Sequence, residues 1–377
     1  MENKKGNLSP LLNKHYNLPM PFTLTAAADD NGRRLDRILR KALRDMPLSG
    51  IHKLLRKGAV LVDGKAVDAG YRIQTGQIIT VKDAHNIAPD SLSIPSSVLK
   101  RHGAGSFRDK SSQIASDTIL FEGAGLLILN KPAGITVHSN DGICMNNGKD
   151  AFDSISLDVM VRSYLEPKLP PSLSFRPGPL HRLDKMSSGI IVFSTNLEGA
   201  RFFSAMMRQR IIKKTYLALV EGMVKKAENW QDELIRDQNT KKTYSRKADF
   251  SVKKETKTVF KSASTHIKPL QINKDCTLIQ AEIETGRTHQ IRSQAASHGH
   301  PLLGDRKYGG RRMEGGFLLH AWRMEIPGDT AAGFSPLLIK APAPIRFENI
   351  ICELFGVTLA DLCTAESPDC PAVFDAL

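Results

Sequence analysis

From Leu35 onward the apolar residues recur at Leu35, Ile38, Leu39, Ala42, Leu43 and Met46, the i, i+3, i+4 spacing of one helical face. After Pro47, Ser49 is placed to cap a shorter helix carrying Ile51, Leu54 and Leu55, and Gly58 stands where such a helix ends. The run Ala59 to Val62 and the pair Asp63-Gly64 predict a strand and a tight type I′ turn, with a further strand at Gln77 to Val81. Two helices followed by strands make one small module over residues 31–83. Ahead of it, residues 1–24 are polar, contain proline and show no period, so they read as a leader.

Residues 84–116 are rich in Ser, Gly and Pro with little periodicity and read as an interdomain linker. Order resumes at Thr118 to Phe121 and continues to about Pro344, which predicts a second domain over residues 117–346. Within it, Leu126 to Leu129 is a short apolar strand that runs into Asn130-Lys131-Pro132-Ala133-Gly134. Ile190 to Phe193 reads as a buried strand, and Thr195-Asn196-Leu197-Glu198 has capping-box spacing ahead of a helix with Leu197, Ala200, Phe203 and Met207 on one side. Lys213 to Gly222 is apolar on both faces and predicts a central strand carrying Tyr216. Ile279, Ala281 and Ile283 alternate as a half-buried strand does, and Thr288 is placed to cap a helix ended by Gly299. The stretch after Arg346 lacks Lys and Arg, and 347–377 reads as an appendage outside the core. Strands and helices alternate without a regular βαβ period, which predicts an α+β domain on a largely antiparallel mixed sheet. No internal repeat is evident.

The chain has 377 residues, room for two or three domains, and its 53 Lys and Arg against 39 Asp and Glu leave a balance of +14. A surplus of that size points to a polyanionic partner such as nucleic acid. Residues 31–65 hold ten basic against three acidic side chains, half of the whole excess. The five cysteines, Cys144, Cys276, Cys352, Cys363 and Cys370, include no C-x-x-C pair, and the eleven histidines form no H-x-x-x-H pair. Neither a disulfide framework nor a metal site is expected, and the thiols fit a reducing compartment. No segment has the apolar length of a signal or membrane span, so a cytoplasmic protein without a membrane partner is expected, acting as a monomer.

Candidate chemistry lies in His181-Arg182-Leu183-Asp184-Lys185-Met186-Ser187-Ser188-Gly189, a loop entering a buried strand. Alone, such a loop reads as a structural salt-bridge turn. A second segment runs from Glu284-Thr285-Gly286-Arg287-Thr288-His289-Gln290-Ile291-Arg292 to Gly304-Asp305 and puts His289 and Arg292 on one helical face. A helical arginine near an aspartate loop would keep the carboxylate ionised and orient it through bidentate hydrogen bonds. His289 reads as a satisfied core imidazole, and Tyr216 as a core aromatic or a ring on which a base stacks.

In this order, the Leu126 to Gly134, His181 to Gly189, Lys213 to Gly222 and Glu284 to Asp305 segments resemble the RluA family of pseudouridine synthases, over about residues 118–344. Ser187 stands where that family's signature has threonine. The resemblance implies that Asp184 is the catalytic aspartate, Arg292 its partner, Tyr216 the ring against the uracil, and Arg182, with His181 beside it, a residue that meets RNA and helps displace the target nucleotide. It also implies a synthase fold, no cofactor and no metal. The helix-helix-strand module resembles the S4 RNA-binding domain, which implies RNA contacts by Arg33, Arg34, Arg37, Lys53, Arg56 and Lys57. The expected function is isomerisation of specific uridines in structured RNA, with large-subunit ribosomal RNA as the leading target. Transfer RNA, and a non-catalytic role in RNA binding or ribosome assembly, are the alternatives.

Overall fold

The computed structural model describes residues 22–43, 46–82, 114–138, 156–169, 172–237, 240–247, 260–330 and 333–364. They fall into two compact units. The Ser/Gly-rich stretch 84–113 and the Asn/Gly-rich stretch 139–150 lie outside the described residues.

The first unit has strand β1 (Phe22–Thr25), helices α1 (Leu35–Ala42) and α2 (Leu48–Arg56), and strands β2 (Val60–Val62), β3 (Lys65–Ala66) and β4 (Ile78–Val81). The strands form one antiparallel sheet in the order β1-β4-β2-β3. The helical stripe is buried as its spacing requires, with Leu35, Ile38 and Leu39 at 0% exposure. At the β2–β3 turn Asp63 and Gly64 both adopt positive φ, 46° and 78°, as a type I′ hairpin demands. Two details differ from the sequence reading. Helix α2 starts one residue ahead of Ser49, with Pro47 in the cap position, because the fixed φ of proline already sets the extended turn. And β1 lies inside the expected leader: Leu24 and Ala26 alternate with polar neighbours and are buried, a signal too short to stand out behind Pro19 and Pro21.

Residues 168–169 and 172–176 belong to this unit although they lie far along the chain. The fully buried carboxylate of Asp30 gathers them, accepting from Leu173 N–H (3.0 Å), Ser174 N–H (2.8 Å) and Ser172 Oγ (3.2 Å) as well as from its own turn at Ala27 N–H (2.9 Å). Arg33 and Lys41 both donate to the Ser174 carbonyl, and Leu173 packs against the core.

The second unit is built on an eleven-stranded sheet. Its elements are β5 (Ile119–Gly123), β6 (Leu126–Lys131), α3 (Leu157–Leu165), β7 (Gly178–Pro179), β8 (Ser188–Ser194), α4 (Leu197–Gln209), β9 (Lys213–Glu221), β10 (Glu228–Arg236), β11 (Thr243–Lys247), β12 (Lys261–Ile272), β13 (Cys276–Ile283), α5 (Gln290–Ser297), β14 (Leu319–Ile326), β15 (Leu337–Lys340), α6 (Ile345–Phe355) and α7 (Leu359–Thr364). The strand order is β11-β10-β12-β13-β9-β14-β8-β6-β5, with β15 beside β14 and β7 beside β8. Among the described residues only the β14–β8 pairing is parallel, so the fold is the expected α+β class on a largely antiparallel mixed sheet. Strand β9, apolar on both faces, sits at the centre of the sheet between β13 and β14.

Cap positions again differ. Helix α4 is capped by Asn196, whose Oδ1 accepts from Gly199 N–H at 2.8 Å, and not by a Thr195–Glu198 box. Helix α5 begins after His289, a residue beyond Thr288. The expected C-terminal appendage is partly core. Phe347 and Ile351 of α6 and Leu359 of α7 pack with Leu217, Leu219 and Leu278, so their helical spacing outweighs the missing basic residues.

Because Asp30 is a buried charge with four donors, Asp30→Ala should destabilise the first unit by about 2–4 kcal/mol, leaving those donors without a partner. Hydrogen exchange of the β2 and β4 amides in the full chain reads this directly. Protection equal to wild type would show that residues 168–169 and 172–176 do not depend on the carboxylate.

Candidate active site

Asp184 lies in the loop between β7 and β8, and three buried groups fix that loop. Gly189, at the start of β8, has φ 104°, and a Cβ there would stand 2.2 Å from the Ala321 carbonyl oxygen, so only glycine permits the close β8–β14 approach. Next to it, Ser188 Oγ meets His320 Nδ1 at 2.9 Å while His320 Nε2 meets the Ala341 carbonyl at 3.0 Å. Burial pushes the His320 imidazole down to about 4, so it is neutral, accepting from Ser188 and donating to Ala341. The third group is Lys131, at 0% exposure, whose ammonium donates to the carbonyls of Pro132 (2.8 Å), Ile135 (2.9 Å) and Lys185 (3.1 Å). It ties the turn after β6 to the residue that follows Asp184, and Gly134 N–H adds a bond to the same Lys185 carbonyl at 2.8 Å. Burial pushes Lys131 down to about 8, with the charge of Asp184 opposing.

Arg292 reaches Asp184 from α5, its Nη1 2.9 Å from Asp184 Oδ2. The two-pronged contact expected for this pair is made elsewhere. Nε and Nη2 donate to Asp305 Oδ2 and Oδ1 at 2.6 and 2.9 Å, and Asp184 receives the remaining prong. The guanidinium carbon also lies 5.0 Å from the Tyr308 ring centroid and 4.4 Å from that of Phe317. Burial disfavours the Arg292 charge, but the hydrogen bonds and charges of Asp305 and Asp184 outweigh it and hold its pKa above the ordinary arginine value. Asp305 closes the segment that singled out Arg292, yet spacing gave no reason to prefer it as a partner.

Around Asp184 opens a pocket lined among others by Arg182, Ser187, Tyr216, His289, Arg292 and Leu319. Tyr216 on β9 faces Ala281 on β13 and Ala321 on β14, so its cross-strand neighbours are both small. Burial first, and the charge of Asp184 second, push its phenol well above the ordinary range and keep it protonated. Ser187 Oγ is buried with no hydrogen-bond partner among the described residues. His289 is not the enclosed core imidazole of the sequence reading. It lines the pocket with Nε2 3.8 Å from Asp184 Oδ1, and its Nδ1 is 2.7 Å from Tyr308 Oη.

Of the residues expected to meet RNA, Arg182 is exposed at the pocket. His181 takes a packing position instead: its Nε2 accepts from Val192 N–H at 3.1 Å, its ring stacks near Phe203, and burial together with the Lys214 charge pushes it down to about 4. In the first unit Arg37, Lys53, Arg56 and Lys57 are exposed, Arg33 is turned to the Ser174 carbonyl, and Arg34 forks onto Asp36 at 3.2 and 2.8 Å.

Residues 125–297 match the family model of RNA pseudouridylate synthase, and residues 33–79 match that of the S4 domain. Over 340 residues the chain is 28% identical to the ribosomal large subunit pseudouridine synthase C of Vibrio vulnificus, covering 86% of this chain and 94% of that one. The protein of the same name from Yersinia pestis is 29% identical over 334 residues, 88% of this chain and 89% of its own. A solved structure, human RNA pseudouridylate synthase domain containing 4, aligns at 20% identity with a TM-score of 0.48 over 63% of this chain and 92% of that one.

Arg292→Lys keeps the charge but cannot fork onto Asp305 and reach Asp184 together. Removing one charge-assisted hydrogen bond should slow pseudouridine formation by about 10- to 100-fold. A turnover assay on RNA checks this, and a wild-type rate would mean that the planar fork is dispensable.

Proposed function

We propose, on the match of residues 125–297 to the RNA pseudouridylate synthase family model, that the chain converts specific uridines of large-subunit ribosomal RNA to pseudouridine, with Asp184 as the catalytic carboxylate. The observation that carries this reading is the unequal treatment of the two Asp184 oxygens. Oδ2 is held by Arg292, while Oδ1 lies opposite His289 across a gap longer than a hydrogen bond. One oxygen is fixed and the other is free to react. The target class follows the two relatives, large-subunit synthases that match nearly end to end.

The reaction breaks the bond between uracil N1 and ribose C1′, turns the base, and joins its C5 to C1′. A proton leaves C5 and one is gained at N1, so the product is an isomer and no electrons are exchanged with a cofactor. Asp184 acts either as nucleophile at C1′ or as base at the sugar, and both roles require an ionised, oriented carboxylate. Arg292 supplies charge and orientation. A uracil stacked in RNA is out of reach, so the nucleotide is extruded at a cost of a few kcal/mol, and stacking on the Tyr216 ring returns about 1–3 kcal/mol. Arg182, exposed at the pocket mouth, is placed to fill the space the nucleotide leaves. On the S4 unit, Arg37, Lys53, Arg56 and Lys57 are exposed cations available to RNA phosphates.

Mapping pseudouridine in ribosomal and transfer RNA of a strain lacking this chain tests the reading. One or more large-subunit positions should be lost, restored by the wild-type chain and not by Asp184→Asn, which removes charge and nucleophilicity at nearly constant volume. Loss confined to transfer RNA would overturn the target, and restoration by the Asn variant would overturn the role of Asp184. Replacing Arg37, Lys53, Arg56 and Lys57 with glutamine should lower the salt slope of RNA binding by about 0.7–0.9 for each phosphate that is no longer neutralised. An unchanged slope would make those side chains solvated surface only.

A further inference from the structure

His289 stands in a strained backbone position with a hydrogen-bond arrangement that leaves its ring a single orientation of use. Its φ and ψ are 55° and 27°, the left-handed region that a residue with a side chain adopts at a cost, and it forms the cap residue of α5 without a side-chain capping bond. The ring is held instead by Tyr308. Tyr308 Oη accepts from Thr243 N–H at 2.9 Å and lies 2.7 Å from His289 Nδ1. With the backbone N–H on one lone pair, the phenol keeps its own hydrogen to donate to Nδ1. In the tautomer this bond favours, Nδ1 accepts and the one N–H of the neutral ring sits on Nε2, the nitrogen that faces Asp184 Oδ1 at 3.8 Å. Burial, opposed by Asp184 and aided by Arg292, pushes the imidazole down to about 4, so the ring is neutral over the whole working range.

We propose that His289 is a further catalytic residue, donating its Nε2–H to O2 of the departing uracil. This inference rests on Asp184 being the reacting carboxylate. Oδ1 is the uncommitted oxygen, so C1′ or its neighbouring hydrogen approaches it. Groups bonded to C1′ then fall within reach of a donor only 3.8 Å from that oxygen. When the N1–C1′ bond breaks, its electron pair goes to the uracil and spreads over N1 and O2. A neutral N–H aimed there stabilises the anion without giving up its proton, whichever role Asp184 takes. Tyr308 is a positioning residue: it acts only by fixing the tautomer.

The test is single-turnover pseudouridine formation on a ribosomal RNA transcript, with RNA affinity measured alongside. His289→Phe keeps a ring but has no N–H, and it should slow the chemical step by about 10- to 100-fold with affinity within about twofold. His289→Asn tolerates the left-handed backbone and retains an N–H, so it should recover part of the rate. Tyr308→Phe should fall between wild type and His289→Phe. A transcript with 2-thiouridine at the target, whose sulfur is a weak acceptor, should slow wild type yet slow His289→Phe no further. A wild-type rate for His289→Phe, a loss confined to affinity, or 2-thiouridine and His289→Phe penalties that multiply would each overturn the inference. Failure of the underlying reading looks different, as wild type without turnover on the transcript or Asp184→Asn with it.

Discussion

One buried guanidinium serves two carboxylates, and the rest of the site is arranged around that sharing. Asp305, with a side chain only 2% exposed, takes two prongs of Arg292, and Asp184, 15% exposed at the pocket, takes one. The division follows from burial. The more enclosed carboxylate needs the fuller compensation, while the one nearer solvent tolerates an uncommitted oxygen. Two negative charges against one positive would be costly in such a place, and Lys131 supplies a second positive charge that feels Asp184. The cluster is neutral as a set, yet the carboxylate at its open edge is left able to react.

Four of the polar side chains around this cluster are placed by the sheet. Lys131 ends β6, Ser188 begins β8, His320 lies on β14 and Tyr216 on β9, four strands that stand side by side in the order β9-β14-β8-β6. Their backbone register is fixed by the ladder, so side chains projecting from them hold the loops after β6 and before β8 with little freedom. Helix α5 brings Arg292 and, at its first turn, His289 to the same loop. The chemistry proposed for Asp184 depends on orientation to within a few tenths of an ångström, and rigid strands provide it better than loops could.

Much of this is legible in the sequence where the signal is local. The spacing of Leu35, Ile38 and Leu39, the Asp63-Gly64 turn and the two-sided apolar run of β9 each report a nearby backbone geometry, and each is found. Spacing also places Arg292 on a helix, but His289, expected on the same helical face, is instead the left-handed residue just ahead of it. What spacing does not carry is which distant group a side chain finds. The fork of Arg292 goes to Asp305 and not to Asp184, and Asp30 closes on residues 142 to 144 positions away. Nor does a pattern of apolar positions reveal a strand as short as β1, whereas α6 carries a readable apolar spacing at Phe347 and Ile351 that the lack of basic residues after Arg346 obscured. The expectation of a core imidazole at His289 fails for a related reason. A core imidazole and a donor facing a carboxylate look alike until the left-handed backbone turns the ring.

The central claim is that Asp305 acts on Asp184 through Arg292, and a double-mutant cycle on turnover tests it most directly. Asp305→Asn, Arg292→Lys and the double variant would be compared with wild type on the same RNA under single-turnover conditions. If one guanidinium links the two carboxylates, the double variant is about as slow as the slower single variant, since either change already breaks the link. Losses that multiply would show that Asp305 and Arg292 affect the reaction independently and would contradict the account.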